Sequence, residues 1–244
     1  MEGSRPEIWP GSQPWSDSWG SFGTLPDAEG LGSSVMRTRV PPDQLPRWWQ
    51  QLLARYPAWP RFSVGPHDTP GLRDFLAQHQ YRLEERERVL VLRRGAWPVL
   101  SAASGARAVA TLDELAQVLA LDHAVFGDPL PTPARLAAEW DRLTPARQLF
   151  FVPGPDGSAI AAGGFTDFGR WALLWGGETA PAHRGRGLYQ AVVRCRLRAL
   201  QTHPAVSFVA VHAREGTSAP ILARRGFRDI GSLEVWAPPQ APQG

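Results

Sequence analysis

Two arginines and two glycines alternate in the segment Arg184-Gly-Arg-Gly187, directly before an amphipathic stretch that starts at Leu188. An apolar run, residues 171–177, precedes this segment and ends in two glycines. This order predicts a strand, a glycine-rich turn and a helix. Such a turn directs several backbone N–H groups to one point, where the positive end of the helix dipole adds to them. Because guanidinium groups add charge and paired donors, the segment predicts a phosphate-binding site.

The spacing of the glycines excludes two common kinds of phosphate loop. A Walker loop requires a lysine after its last glycine, and the chain contains no lysine. The dinucleotide fingerprint G-x-G-x-x-G fails because Gln190 stands where the third glycine belongs. No acidic residue about 20 positions further on completes a βαβ unit of that kind.

The hexapeptide Arg184-Gly-Arg-Gly-Leu-Tyr189 resembles the R/Q-x-x-G-x-G/A loop of the GNAT superfamily, the acyl-CoA-dependent N-acyltransferases. In that family the loop holds the pyrophosphate of coenzyme A. Tyr189 departs from the pattern, since the family usually has Gly or Ala there. The resemblance implies acetyl-CoA as the cosubstrate and a binding segment made of Thr179, Ala180, Arg184, Gly185, Arg186, Gly187, Leu188 and Tyr189.

The order of elements around the loop extends this resemblance to residues 105–240. Three strands are predicted before the loop and one after the helix, followed by a short helix, the pair Gly226-Phe227 and a last strand; the strands cover residues 148–152, 159–165, 171–175, 205–213 and 233–236. The resemblance implies an α/β (α+β) fold with a mixed central sheet and helices on both faces. It also implies that the sheet splays apart at the third strand, where Gly176-Gly177 would permit a bulge.

The first half of the chain repeats part of the second half at an offset of 146 residues. Residues 75–82 match residues 221–228, and Phe62 falls on Phe208. We therefore predict a reduced GNAT-like unit at 35–94, which lacks the arginine-glycine loop, and a complete GNAT domain at 106–240. Residues 95–105 are the predicted linker. Residues 1–34, rich in Gly, Pro and Ser, are predicted to be irregular, with Trp9, Trp15 and Trp19 able to pack onto the folded body.

Two helices open the predicted second domain. Thr111-Leu-Asp-Glu114 is a capping box, and Thr132-Pro133 places proline at the first position of the next helix. In GNAT folds the corresponding helices and their loop line the acceptor site. The resemblance therefore implies that Phe126, Asp128 and Trp140 contact the acceptor.

Acyl transfer from a thioester to an amine requires a neutral amine, a donor for the carbonyl oxygen and a departing thiolate. Glu178 is the only acid between Arg170 and Arg214, and its place at the strand end suits a general base. The alternative is a glutamate that pairs with Arg184 or Arg186. His183 is a second candidate base, or an ordinary loop histidine.

The usual general acid of the family is missing. GNAT enzymes often carry a tyrosine four residues before the Gly-Phe pair, where this chain has Leu222. Ser218 is a weaker candidate donor, and its other interpretation is a helix N-cap.

The composition of the chain limits which ligands, cellular locations and metal sites are expected. Nine arginines and one acid lie between Arg184 and Arg228, which favours a polyanionic ligand, although Arg194, Arg196 and Arg198 are expected on a solvated helix face. Cys195 is expected in the core and excludes an internal disulfide. Without an apolar run near 18 residues or an export signal, the chain is expected to be cytoplasmic and to bind no membrane. The histidines show no metal-ligand spacing, so no metal site is expected.

Three functions fit these observations. The first is an N-acetyltransferase that transfers an acetyl group from acetyl-CoA to an amine of a small molecule or a protein. The second is a GNAT-fold protein that binds coenzyme A without catalysis, motivated by Tyr189 and Leu222. The third, a basic nucleic-acid binder, is disfavoured because the aromatic residues of the arginine-rich segment do not alternate with its arginines. The sequence does not indicate the acceptor or the oligomeric state.

Overall fold

The computed structural model describes residues 15–16, 20–23, 34–55, 59–98 and 105–239. Its residues form two compact units. The first contains Met1–Leu90, Ala213–Arg225 and Asp229–Gly244, and the second contains Val91–His212 and Gly226–Arg228. The last part of the chain thus returns to the first unit. The predicted domain bounds at 34, 94, 105 and 240 stay a prediction.

The first unit is built on a mixed sheet. Its strands are β1 (Trp15–Ser16), β2 (Gly20–Gly23), β3 (Ser34–Thr38), β4 (Arg61–Val64), most of β5 (Arg82–Arg93) and most of β11 (Arg228–Ala237). The pairs β1–β2, β2–β3 and β4–β11 are antiparallel, and β3–β4 is parallel. Its helices are α1 (Leu45–Arg55), α2 (Leu72–Gln78) and α6 (Ser218–Ala223).

The second unit carries the glycine-rich loop. Its strands are β6 (Arg107–Ala108), β7 (Arg147–Pro153), β8 (Ala159–Asp167), β9 (Trp171–Thr179) and most of β10 (Phe208–Arg214). Neighbouring strands from β6 to β9 are antiparallel, and β9 pairs with β10 in parallel. The helices are α3 (Leu112–Phe126), α4 (Pro133–Asp141) and α5 (Leu188–Ala199). This mixed sheet with its helices confirms the predicted fold class.

The predicted helices and most predicted strands are confirmed. Thr111 Oγ1 accepts a hydrogen bond from the Glu114 N–H at 3.2 Å, and Thr132 Oγ1 caps α4 in the same way. The prediction was wrong for part of the N-terminal segment, because Trp15 and Phe22 lie in paired strands. Short strands without an alternating apolar pattern leave little trace in a sequence. Trp9 and Trp19 lie outside the described residues, as do residues 99–104 of the predicted linker.

The internal repeat is also visible in the positions of the elements. Helices α2 and α6 begin at Leu72 and Ser218, and strands β5 and β11 begin at Arg82 and Arg228. Both pairs of starting residues are separated by the offset of 146 that the sequence match gives. The similarity between the two halves is therefore one of structure as well as of sequence.

The sheet of the second unit is covered on both faces. Successive side chains of a strand point to opposite faces. Phe151 of β7 packs in the core cluster that contains Leu115 and Val118 of α3, whereas its neighbour Phe150 lines a cavity with Cys195 of α5. Helices α3 and α5 therefore cover opposite faces. None of the helices in the described part of the chain is both long and apolar enough to cross a bilayer.

We expect Gly164→Ala to destabilise the second unit strongly. A methyl group at this position of β8 would lie 2.3 Å from Cζ2 of Trp175 and 2.7 Å from the carbonyl oxygen of Gln148, which is backbone. Overpacking of this kind costs about 3 kcal/mol or more when backbone must move. Chemical denaturation measures the loss. The control is Gly231→Ala in β11, where the added methyl group meets no atom within 4 Å; an equal loss in both variants would contradict this packing.

Candidate functional site

Strand β9 contains the bulge that its two glycines permit. Ala162 of β8 pairs with Glu178, whereas Gly164 pairs with Trp175. Two residues of β9 therefore lie opposite the single residue Gly163. The extra residue brings the side chains of Trp175 and Glu178 to the same face of the sheet, although they are three positions apart. Glu178 is thereby directed to the face covered by α3.

Strand β9 loses its neighbour on the other side at the same point. Its parallel pairing with β10 runs from Trp171 with Phe208 to Leu174 with Val211 and ends there. The last five residues of β9, Trp175–Thr179, have no partner from β10 among the described residues. Their outward N–H and C=O groups can therefore bind an extended ligand, as an edge strand does.

The loop after β9 presents a run of free backbone donors. Gly185 and Gly187 have φ of 77°, a left-handed conformation that favours glycine. Gly187 is the N-cap of α5, and its carbonyl oxygen accepts the first helical bond, from the Ala191 N–H. Within the described part of the chain, the N–H groups from Gly185 to Tyr189 donate no hydrogen bond. These donors and the helix dipole give the loop the chemistry that an anion-binding site requires.

The arginines of the loop are exposed. Arg184 Nε donates to the carbonyl oxygen of Thr179 at 3.3 Å, and Arg186 lies 3.4 Å from Nδ1 of His183. Neither arginine pairs with Glu178, so that alternative for Glu178 is wrong. Arg184 contacts Thr179 through Nε, so both of its outer nitrogens are left for an anion, whereas Arg186 contacts His183 through one of its two outer nitrogens.

Tyr189 does not block the loop. A Cβ at Gly177 would come within 2.7 Å of its ring, so the ring packs directly on the bulge of β9. Burial raises the pKa of Tyr189, and the nearby guanidinium of Arg196 opposes that shift. Since its side chain packs against the strand, the residue in place of the family's Gly or Ala leaves its own N–H open.

Arg196 is buried, contrary to the solvated position expected for it. Only 1% of its surface is exposed, and Nη1 donates to the carbonyl oxygens of Gly164 and Trp175, each at 3.1 Å. The bulge leaves these two carbonyl groups without a donor from the neighbouring strand, and Arg196 donates to both of them. The helical period places position 196 beside Val192 and Val193 on the buried face of α5. Cys195 is buried as expected.

Glu178 is the most unusual group of the site. Its side chain is 3% exposed, and no donor among the described residues reaches either carboxyl oxygen. The carboxyl group of Asp122, on α3, lies at hydrogen-bonding range of Glu178. Burial, together with the charge of Asp122, raises the pKa of Glu178 to about 11. Burial also raises the pKa of Asp122, to about 6. At neutral pH the pair therefore carries one proton and one negative charge.

Of the three residues predicted to contact the acceptor, Asp128 is the one whose charge acts on this pair. Asp128 lies close enough to add to the repulsion felt by both carboxyl groups. Trp140 of α4 packs against the core cluster beneath α3. Phe126 ends α3 with 40% of its surface exposed. The charge of Asp128 thus acts on Glu178, whereas Trp140 is partly a packing residue.

Asp122 is the site residue that the sequence interpretation missed. The signal was present, because Leu115, Val118 and Leu119 lead by helical spacing to position 122. An acid therefore occupies the apolar stripe of α3.

The two positions considered for the general acid, 218 and 222, lie in helix α6. Thr217, not Ser218, is the N-cap of α6, and Leu222 is buried with 1% exposure.

The chain resembles solved structures in fold but not in sequence. No protein-family model and no curated protein matches it. A GCN5-related N-acetyltransferase from Kribbella flavida aligns with a TM-score of 0.67 and 16% identity, over 95% of this chain and 91% of that one. A GCN5-related N-acetyltransferase from Sphaerobacter thermophilus aligns with a TM-score of 0.61 and 20% identity, over 89% and 75%.

A tandem GNAT protein of the clavulanic acid biosynthesis pathway, in its form without acetyl-CoA, gives a TM-score of 0.59 and 17% identity. The alignment covers 89% of this chain and 78% of that protein's chain. The tandem organisation of that protein agrees with the two units and the repeat described above. The chain therefore has the fold of the GCN5-related N-acetyltransferases.

Proposed function

We propose that this protein is an N-acetyltransferase that transfers an acetyl group from acetyl-CoA to a primary amine of a small molecule or a protein. The observation that carries the proposal is the run of free N–H groups from Gly185 to Tyr189 at the start of α5. This run follows directly on the unpaired end of β9. A ligand with a pyrophosphate and an amide-containing arm matches both features.

Each part of the site has a role in this proposal. The loop N–H groups, with Arg184 and Arg186, hold the pyrophosphate. Thr179, Ala180 and the free edge of β9 bind the amide groups of the pantetheine arm. The N–H groups at the bulge stabilise charge on the thioester oxygen as the amine attacks. Acetyl-CoA supplies the activated acyl group, and no metal takes part in the proposal.

Phe126, Asp128 and Trp140 are proposed to line the acceptor site on the α3 side of the sheet. Glu178 has the position of a catalytic group but holds a proton at neutral pH, so it cannot act as an isolated base. The described tyrosine of the second unit, Tyr189, packs at the bulge, and the position of the family's usual acid holds Leu222. The departing thiolate is therefore proposed to take its proton from the reacting amine or from water.

The second candidate function is that of a binding protein without catalysis, and the buried aliphatic side chain of Leu222 favours it. Such a protein would bind acetyl-CoA without consuming it. A role in binding nucleic acid loses support, since Arg196 is buried and unable to reach a phosphate. The predicted domain bounds and the cytoplasmic location remain part of the proposal.

Incubation with acetyl-CoA and a panel of primary amines tests the proposal. We expect release of free thiol that requires both the protein and an amine, with the N-acetylated amine detected by mass spectrometry. Gly157→Asp, a change in the distant β7–β8 turn at a glycine with φ of 84°, should keep this activity. Acetyl-CoA binding without thiol release from any amine would instead support the inactive alternative.

A further inference from the structure

Behind the proposed acceptor site lies a carboxyl pair that packing alone does not explain. Glu178 is 3% exposed at the end of β9, and neither of its oxygens meets a donor among the described residues. Burying a carboxyl group without a partner costs several kcal/mol, so such groups are rare outside functional sites. The bulge at Gly176 and Gly177 directs this side chain toward α3.

The second member of the pair is the one that a ligand can reach. Asp122 is half-buried, whereas Glu178 is 3% exposed. Two carboxylates at this range repel each other, and a single proton between them removes the repulsion and satisfies one oxygen of each. The proton rests on the more deeply buried Glu178, which then donates to Asp122. The remaining negative charge is on Asp122, the accessible member.

The surrounding groups keep this site negative. Asp128, in the loop after α3, and Glu139, on α4, add negative charge near Asp122, whereas Arg135 of α4 adds positive charge. Glu139 is offset by Arg142, whose Nη1 lies 2.7 Å from its carboxylate. Arg135 Nη1 donates to the carbonyl oxygen of Pro129 at 2.7 Å. This bond leaves the positive charge of Arg135 in place, so the carboxylates of Asp122 and Asp128 together with Arg135 leave one net negative charge at the site.

We propose that Asp122 and Glu178 act as one proton-sharing pair that binds the acceptor as a cationic ammonium group and takes its proton at Asp122. Asp122 is then a catalytic residue, and Glu178 is the positioning residue that holds it. The inference rests on the proposed acetyltransferase function. The acceptor class is an amine that is protonated at neutral pH, in preference to a neutral aromatic amine.

The ammonium transfers one proton to the Asp122 carboxylate and becomes a neutral amine. Its nitrogen lone pair attacks the thioester carbonyl carbon, a C–N bond forms, the C–S bond breaks and the thiolate departs. The second proton of the nitrogen passes to the thiolate, directly or through water, and Asp122 returns its proton to solvent. The products are the amide, coenzyme A thiol and one proton.

The isosteric variants Asp122→Asn and Glu178→Gln separate the two roles. Asp122→Asn removes the proton acceptor and should lower kcat/KM for an alkylamine by about 100-fold or more. Glu178→Gln keeps a donor toward Asp122, as the protonated glutamate does, and should stay within about tenfold of wild type. Glu178→Ala, which leaves Asp122 without its donor, should lose more activity than Glu178→Gln. Both isosteric variants should keep the wild-type affinity for acetyl-CoA.

The experiment measures kcat/KM against pH for the full chain and these variants, with one primary alkylamine and one aniline. The decrease in kcat/KM that the wild type shows toward acid pH should disappear in Asp122→Asn. The loss of kcat/KM in this variant should be larger for the alkylamine than for the neutral aniline. If Asp122→Asn does not fold, as judged by thermal unfolding, the smaller Asp122→Ser replaces it. Full activity in the Asp122 variant, or an equal loss for both amines, would overturn the inference while leaving the proposed function intact.

A larger loss in Glu178→Gln than in Asp122→Asn would also overturn it, by making Glu178 the base itself. Failure of the proposed function has a different signature. In that case the wild-type chain either binds no acetyl-CoA in calorimetry or binds it without releasing thiol with any amine, and the inference fails with the function.

Discussion

Gly187→Asp should weaken acetyl-CoA binding by at least about 100-fold while the protein stays folded. Gly187 is the N-cap of α5, and a Cβ at this position meets no atom within 4 Å. An aspartate therefore meets no neighbouring atom, although the φ of 77° strains it, and it places a carboxylate beside the loop N–H groups that we assign to the pyrophosphate. Two charges about 4 Å apart repel each other by about 4 kcal/mol near a protein surface, which corresponds to two to three orders of magnitude in affinity. Isothermal titration calorimetry measures the change.

A matched control removes the backbone contribution from this comparison. Gly157 also has a positive φ, 84°, and an added Cβ there meets no atom within 4 Å. Gly157→Asp therefore introduces the same side chain into a similar conformation, in the turn between β7 and β8. It should bind acetyl-CoA as the wild type does. Equal affinity in both variants and the wild type would mean that the loop from Arg184 to Tyr189 does not hold the phosphates.

Glu178→Gln should make the protein more stable than wild type at alkaline pH. Because the folded-state pKa of Glu178 is raised from 4.5, the folded protein keeps a proton that the unfolded chain releases. The stability that this group contributes is complete below pH 4.5 and is lost as the pH rises. The loss is about 1.4 kcal/mol per pH unit, or about 4 kcal/mol between pH 6 and pH 9. The glutamine variant has no such proton.

Urea denaturation of both proteins across this pH range gives the difference in the free energy of unfolding. The gap in favour of Glu178→Gln should widen steadily with pH. Glu215→Gln, which removes a carboxylate whose side chain is 52% exposed, should keep the wild-type slope. Parallel curves for wild type and Glu178→Gln would show that Glu178 is ionised in the folded protein, and the shared proton would then be excluded.

Much of the fold could be predicted from the sequence because its elements carry local signals. Thr111 and Thr132 cap helices whose apolar residues recur at helical spacing. Strands β7 and β8 are continuous apolar runs separated by a turn rich in glycine and proline. The return of the last strand to the first unit, where β11 pairs with β4, has no local signal. Which strands pair across more than 150 residues depends on packing that a single sequence does not reveal.

The glycine-rich loop of the candidate site could be predicted from the sequence, whereas the chemical role of its carboxyl groups was harder to predict. Glycines in the left-handed conformation leave a recognisable pattern at positions 185 and 187. The role of Glu178 depends instead on the bulge, which turns its side chain toward Asp122 on a helix more than 50 positions earlier. Arg198 of α5 is exposed, as predicted, whereas Arg196 is buried. Arg196 is buried because its guanidinium group donates to the carbonyl groups that the bulge leaves open.

A crystal structure of the full chain with acetyl-CoA would show which groups of the protein hold the pyrophosphate. The pyrophosphate should accept hydrogen bonds from the backbone N–H groups between Gly185 and Tyr189. The pantetheine arm should lie along the free edge of β9, residues 175–179, with the thioester near the bulge. Acetyl-CoA bound elsewhere, with the loop N–H groups in contact only with solvent, would contradict the assignment of this loop and the function built on it.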